Sequence, residues 1–201
     1  PCCLDHLWTV TATNNSKPKK KTKTLKSILE NYKRINSDDS TSYIYFVEKT
    51  IPQMNAHEHI IDPYTLGVLI GDGSLSQHDS VEIALGKNKE HIIEKLKFPQ
   101  GIDIKVNWIE DKNYFRIYVT GCDVNGKYIF DHINDLALNV TSKHKFIPDS
   151  YLYDSIENRS NLLQGLIDTD GHINTRGLVE FSTISEQLAK DFHQLFLSLG
   201  R

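Results

Sequence analysis

"NLLQGLIDTDG", residues 161 to 171, is an apolar, helix-like run that closes on aspartates and a glycine. Carboxylates at that end of a helix oppose the macrodipole, whose C-terminal pole is already negative and ordinarily attracts lysine or arginine. Either the aspartates are solvated at the start of a loop, or something positive stands between them and the helix-end carbonyls. After a single helix, Asp-Gly is most simply a turn. The same ending recurs in "DPYTLGVLIGDG", residues 62 to 73, a short apolar segment with proline in its first turn and a glycine stop. Asp72-Gly73 and Asp170-Gly171 stand 98 positions apart (170 − 72).

The segments downstream of the two pairs are also alike. "SVEIALG" alternates, turning Val81, Ile83 and Leu85 toward a core, and "KNKEHIIEKLK" has the spacing of an amphipathic helix. "DIKVNWIED" and "NYFRIYVTG" form a hairpin around Asp111 to Asn113. Its inward set is Ile104, Val106 and Trp108 with Phe115, Ile117 and Val119. Its outward set is Lys105 and Asn107 with Tyr114, Arg116, Tyr118 and Thr120. "VNGKYIFDHINDLAL" returns to helix, so the expected order is helix, strand, strand, helix, strand, strand, helix. Beyond a polar connector the order restarts. "NRSNLLQGLIDTDG" is helix, "HINTRGLVEFSTIS" two strands, and "SEQLAKDFHQLFLSLG" an amphipathic helix with a capping box at Ser185.

The first sixty residues differ in texture. "CLDHLWTVTAT" reads as a short strand, "LKSILENYKRIN" as a modest amphipathic helix and "SYIYFVEKTIP" as a strand. Between them "NNSKPKKKTKTLK" gathers Lys17, Lys19, Lys20, Lys21, Lys23 and Lys26. It reads as a solvated, mobile linker, with phosphate contact as the functional alternative.

Bulk composition narrows the classes. A chain of 201 residues holds one large domain or two small ones, and its formal net charge of −3 gives no global basic field. Any nucleic-acid surface must therefore be a local stripe. Three cysteines, with Cys2 and Cys3 adjacent, make no disulfide framework and point to a reducing, cytoplasmic setting. Neither a membrane-spanning run nor a signal-peptide start is present. The chain opens on Pro1 and ends in mid-pattern at "SLGR", so it is expected to be part of a longer protein.

"LQGLIDTDG" matches the LAGLIDADG signature at seven of nine positions, departing at Gln164 and Thr169, and "TLGVLIGDG" keeps Gly67, Asp72 and Gly73. From about Asp62 to Arg201 the chain resembles the LAGLIDADG homing endonucleases, of the two-motif monomeric kind found inside inteins. The resemblance implies an α/β (α+β) fold of pseudo-twofold αββαββα repeats forming a DNA-binding saddle, the second repeat truncated. It implies that the motif helices pack face to face through Gly67, Gly71 and Gly165, bringing Asp72 and Asp170 together. Neighbouring carboxylates at negative helix ends call for a hard divalent cation, Mg²⁺ with Mn²⁺ as a substitute, and Gly71 and Thr169 join the aspartates in the implied metal set. In "SKHKFIPDSYL" the family's basic residue before an Ile-Pro element falls on Lys145, with Lys143 as competitor. The partner implied is double-stranded DNA with a long recognition site, contacted by Gln77, Lys87, Lys89, Lys105, Asn107, Arg116, Tyr118, Asn174 and Arg176.

"PCCLDHLWTV" is similar to the intein segment whose histidine assists the first acyl shift of protein splicing, here His6, with Cys3 where threonine is usual. The expected organisation is a partial intein splicing (Hint) segment and linker over 1–58, a first endonuclease repeat over 59–150 and an incomplete second repeat over 151–201. The expected activity is a staggered, metal-dependent double-strand break by an intein-encoded homing endonuclease, the interrupted host protein being unknown. A free-standing intron-encoded endonuclease, an RNA maturase and a silent DNA-binding module of the same fold are the alternatives. "DHLWTV" speaks against the first, and intact Asp72 and Asp170 against the last.

Overall fold

The lysine-rich stretch expected to be a linker is a strand. In the computed structural model, which describes every residue except Pro1, Asn15, Lys49, Gln77 to Asp79, Arg176 and Arg201, the chain divides into Pro1–Thr50 and Ile51–Arg201. Gln77 and Arg176 therefore lie outside the described residues. In the first unit β1 (Leu7–Asn14) pairs antiparallel with β2 (Ser16–Thr24), Val10 facing Lys21 and Trp8 facing Lys23. Alternate lysines can point away from a sheet without cost, and an edge strand rich in lysine resists further pairing. Thr24 caps the short helix α1 (Leu25–Glu30). That helix stops earlier than its apolar spacing suggests, because β3 (Lys33–Ile35) pairs with β4 (Thr41–Tyr43) and stacks Tyr32 on Tyr43. The following β5 (Tyr45–Phe46) closes a sheet of order β2-β1-β5.

The second unit is built on two helices. Asp62 accepts from the Thr65 amide and Pro63 follows it, starting α2 (Pro63–Asp72). Every residue from Pro63 to Ile70 is buried. This explains why "TLGVLIG" has no polar face: a helix apolar all round belongs in the interior. After β6 (Gly73–Ser74) and β7 (Val81–Gly86), the segment Lys87–Lys95 winds as 3₁₀ turns rather than the expected α-helix. Gly86 offers no capping side chain and only Ile92 is buried, too little to stabilise so short an α-helix. Then come β8 (Ile102–Ile109), β9 (Tyr114–Gly121), α3 (Ile129–Asp135) and α4 (Asp149–Leu152).

The sheet order is β6-β7-β9-β8, all antiparallel. Val81, Ile83, Leu85 and Ile117 are buried as expected, and Val119 is nearly so. Val106 and Trp108 have the expected facing but remain 39% and 40% exposed, because β8 is the sheet's edge. Trp108 packs on Phe115, with ring centroids 4.7 Å apart.

Ser155 caps α5 (Ile156–Asp170), which leads into β10 (Gly171–Ile173), β11 (Val179–Phe181) and α6 (Glu186–Ser198). The cap of α6 is one-sided. Ser185 Oγ accepts from the Leu188 amide, and leucine at that third position has no acceptor to return the bond, so the expected capping box is a single bond. Residues 51 to 58 belong with this unit. Arg159, fully buried, donates to the Pro52 carbonyl and to Ser198, and buried Asp154 accepts from the His57 amide and pairs with His59.

Helices α2 and α5 meet backbone to backbone at Gly67 and Gly165. A β-carbon on Gly67 would stand 2.5 Å from the Leu162 carbonyl and 3.0 Å from Gly165 Cα. One on Gly165 would press the Tyr64 carbonyl and come within 3.1 Å of Gly67 Cα. Gly165→Ala is thus expected to destabilise the unit by about 1–3 kcal/mol, the range for overpacking against rigid neighbours. Gln164→Ala, one position along and exposed, should stay within about 0.5 kcal/mol of the parent. Thermal unfolding of the two variants checks this, and equal melting temperatures would contradict it.

Candidate active site

Asp72 and Asp170 are the last helical residues of α2 and α5, and the glycine contact holds those helix ends together. Gly73 and Gly171 stop the helices in extended conformation, each amide returning to the carbonyl four residues back. Thr169 Oγ1 stays within its own helix, donating to the Gly165 and Leu166 carbonyls, and packs so closely on Gly71 that a β-carbon there would collide with it. The Asp170 carboxyl is pushed up from its ordinary pKa by burial and by the neighbouring Asp72 charge, against the pull of Lys89 and Lys145. The two aspartates therefore act on one another electrostatically, as like charges at one site do.

Of Lys143 and Lys145, it is Lys145 that reaches this site. It is only 4% exposed, and Nζ donates to the carbonyls of Ile70 (2.6 Å), Gly71 (3.0 Å) and Gly73 (2.8 Å). It thereby caps the negative end of α2. Burial lowers its pKa to about 8, while Asp170 and Asp72 work in the other direction. Lys143 lies exposed in a 3₁₀ turn two residues earlier. The Lys145 carbonyl accepts from Ser185 Oγ at 2.6 Å, and the Ile147 amide donates to Asp191 at 2.9 Å, so the start of α6 fixes this loop. A cleft of about 380 Å³ opens beside Lys145 and Asp170, lined also by Ser142, Ser182 and Thr183.

Lys89 sits elsewhere than expected. Its ammonium donates to Asp72 Oδ2 at 2.9 Å and to the Thr169 carbonyl at 2.6 Å, tying the two helix ends rather than facing a groove. Asp168, the first aspartate of the second motif, is likewise engaged across the helices. Tyr64 donates to it at 2.8 Å and Lys95 at 3.1 Å. Among the described residues no group of three or more His, Cys, Asp or Glu side chains is arranged to hold a metal. The oxygen donors present are two carboxylates and the helix-end carbonyls.

On the outer face of the sheet, cross-strand register makes a patch. Lys105 stands opposite Tyr118 and Asn107 opposite Arg116 on β8 and β9. The Arg116 guanidinium donates to the hydroxyls of Tyr114 (2.9 Å) and Tyr118 (3.4 Å), with Glu82 of β7 at 3.9 Å. Lys87 does not join this patch, since its ammonium lies 6.0 Å from the Trp108 ring centroid on the opposite facing. Asn174 shapes the β10–β11 turn, accepting from the Leu178 amide and donating to Glu180. In the first unit His6 is exposed at the start of β1, its ring edge-on to Trp8 at 5.5 Å and its amide bonded to the Cys3 carbonyl. No described helix is long and apolar enough to cross a membrane.

Residues 157–201, which include most of α5 and all of α6, match the family described as LAGLIDADG-like domain. The match supports the homing-endonuclease family, whose members bind DNA; α2 and its Asp72 lie outside the matched residues. The chain is also 46% identical over 57 residues to replicative DNA helicase DnaB of Mycobacterium intracellulare, over 28% of this chain and 10% of that protein. The chain thus spans about a tenth of the curated relative it matches.

The two lysines of "SKHKF" can be told apart by stability. Lys145→Met leaves three carbonyls without their donor and is expected to cost about 1–3 kcal/mol, the penalty for unpaired buried polar groups. Lys143→Met should change stability by no more than about 0.5 kcal/mol. Denaturant titration of both variants is the check, and equal midpoints would contradict the placement of Lys145.

Proposed function

We propose that the chain is a LAGLIDADG-type endonuclease, carried by an intein, that hydrolyses both strands of a long DNA site with a divalent metal ion. The observation that supports this most is the meeting of α2 and α5, which brings the Asp72 and Asp170 charges to bear on each other and on Lys145. The donors present suit a hard cation. Both carboxylates and the carbonyls of Gly71 and Thr169 are oxygen ligands, and two of these groups already draw the ammonium of Lys89 while Gly71 draws that of Lys145. Asp72 and Asp170, with Gly71 and Thr169, are the residues that would hold Mg²⁺. Bound there, such an ion lowers the pKa of water and offsets charge gathering on the phosphoryl oxygens.

The protein's own groups do the rest. Lys145, held by three carbonyls, presents fixed positive charge beside Asp170 and steadies the extra charge of a pentacoordinate phosphorus. The attacking water's oxygen bonds to phosphorus while the bond to the deoxyribose oxygen breaks; the water's proton leaves to solvent, and the departing oxygen takes a proton from solvent to leave as a hydroxyl. Lys105, Asn107, Arg116 and Tyr118 face outward on rigid strands, where they contact phosphates and base edges in the major groove. In this reading α2 and α5, each with its following strands, are halves of one saddle. His6 in the first unit is the splicing histidine, polarising a scissile peptide. Local similarity to a replicative helicase over a tenth of its length is in keeping with a segment inserted into a host protein.

Selection from a randomised duplex library in Ca²⁺, followed by Mg²⁺, tests the activity. A long preferred site should be cut on both strands by the parent chain and not by Asp170→Asn. Lys145→Met should cut about 100- to 1,000-fold more slowly, the usual loss for one preorganised charge-stabilising group, with its DNA affinity retained. A bound pool that stays intact in Mg²⁺ would contradict the nuclease reading and favour a DNA-binding module.

A further inference from the structure

Lys89 bridges the ends of the two motif helices. It bonds Asp72 of α2 at 2.9 Å and the Thr169 carbonyl of α5 at 2.6 Å, both members of the proposed metal set. A cation coordinated by those two oxygens needs the lone pairs that the ammonium now holds. The two lysines of the site differ in enclosure. Lys145 is enclosed and triply bonded, whereas the Lys89 side chain is 25% exposed and rises from a 3₁₀ turn that begins directly after β7. An ammonium on a flexible four-carbon stem can leave such a position if another anion is within reach.

We propose that Lys89 is a displaceable counter-cation. In the metal-free protein it neutralises Asp72 and holds the two helix ends together. It competes with a divalent ion for the same oxygens, and a DNA phosphate arriving over the cleft draws it away. Metal then loads preferentially onto DNA-bound protein, and by linkage the metal strengthens DNA binding by the same factor. The inference rests on the metal-dependent reading above.

Calorimetric titration with Ca²⁺, with and without a duplex recovered by the selection, tests it on the parent chain, Lys89→Met and a charge control, Lys95→Met. Lys95 leaves the same 3₁₀ segment but bonds Asp168. Without DNA, Lys89→Met should bind Ca²⁺ about ten-fold more tightly than the parent, and Lys95→Met less than three-fold. The duplex should raise the parent's Ca²⁺ affinity about ten-fold and that of Lys89→Met far less. In EDTA the melting temperature of Lys89→Met should fall. Lys89→Gln, which keeps a donor for the Thr169 carbonyl without the charge, supplies the comparison if the methionine variant folds poorly. Parent and Lys89→Met of equal Ca²⁺ affinity, or equal gains from the Lys89 and Lys95 variants, would overturn the inference and leave the metal reading standing. Absence of Ca²⁺ uptake by all variants with duplex present would overturn both.

Discussion

The backbone contact of Gly67 with Gly165 is the constraint on which the site depends. With the backbones in contact at these two glycines, the helices run close enough that the like charges of their last residues, Asp72 and Asp170, act on each other. Two negative helix poles end in the same place. Lys145 and Lys89 answer that concentration of negative charge, the first by bonding the carbonyls at the end of α2, the second by joining Asp72 to α5. Carboxylates at the negative end of a helix are tolerated here because cations stand on both sides of them.

This arrangement is poorly suited to stability and well suited to chemistry. Burial raises the Asp170 pKa and lowers that of Lys145, so each charge is held where desolvation opposes it. Such opposed shifts within one cleft are characteristic of functional sites, although structural ion-pair networks produce them too. The surrounding structure supports the expense. Ser185 and Asp191 pin the Lys145 loop, and buried Arg159 ties the residues around Pro52 to the end of α6.

Much of the second unit was legible because its signals are local. Proline after an aspartate marks the start of α2, an unbroken apolar run marks it as interior, and strict alternation marks β7 and the β8–β9 hairpin. Other features depend on what an element packs against, which a single sequence does not carry. The lysine run became an edge strand because β1 offered it a partner, and Val106 and Trp108 stayed half-open because β8 is the edge of its sheet. Spacing could not separate Lys143 from Lys145, since two residues change which way a loop lysine points. Lys89 was readable as a cation near the sheet; that it reaches the carboxylates follows from 3₁₀ turns where helical spacing predicted an α-helix.

We propose above that the ends of α2 and α5 form one divalent-cation site. Crystals of the chain grown with Mn²⁺ and a selected duplex, recorded at the manganese absorption edge, test it most directly. The expected result is an anomalous peak at about 2.0–2.3 Å from carboxylate oxygens of both Asp72 and Asp170. A fully occupied Mn²⁺ bound to other residues, with these two carboxylates left on lysines alone, would contradict it.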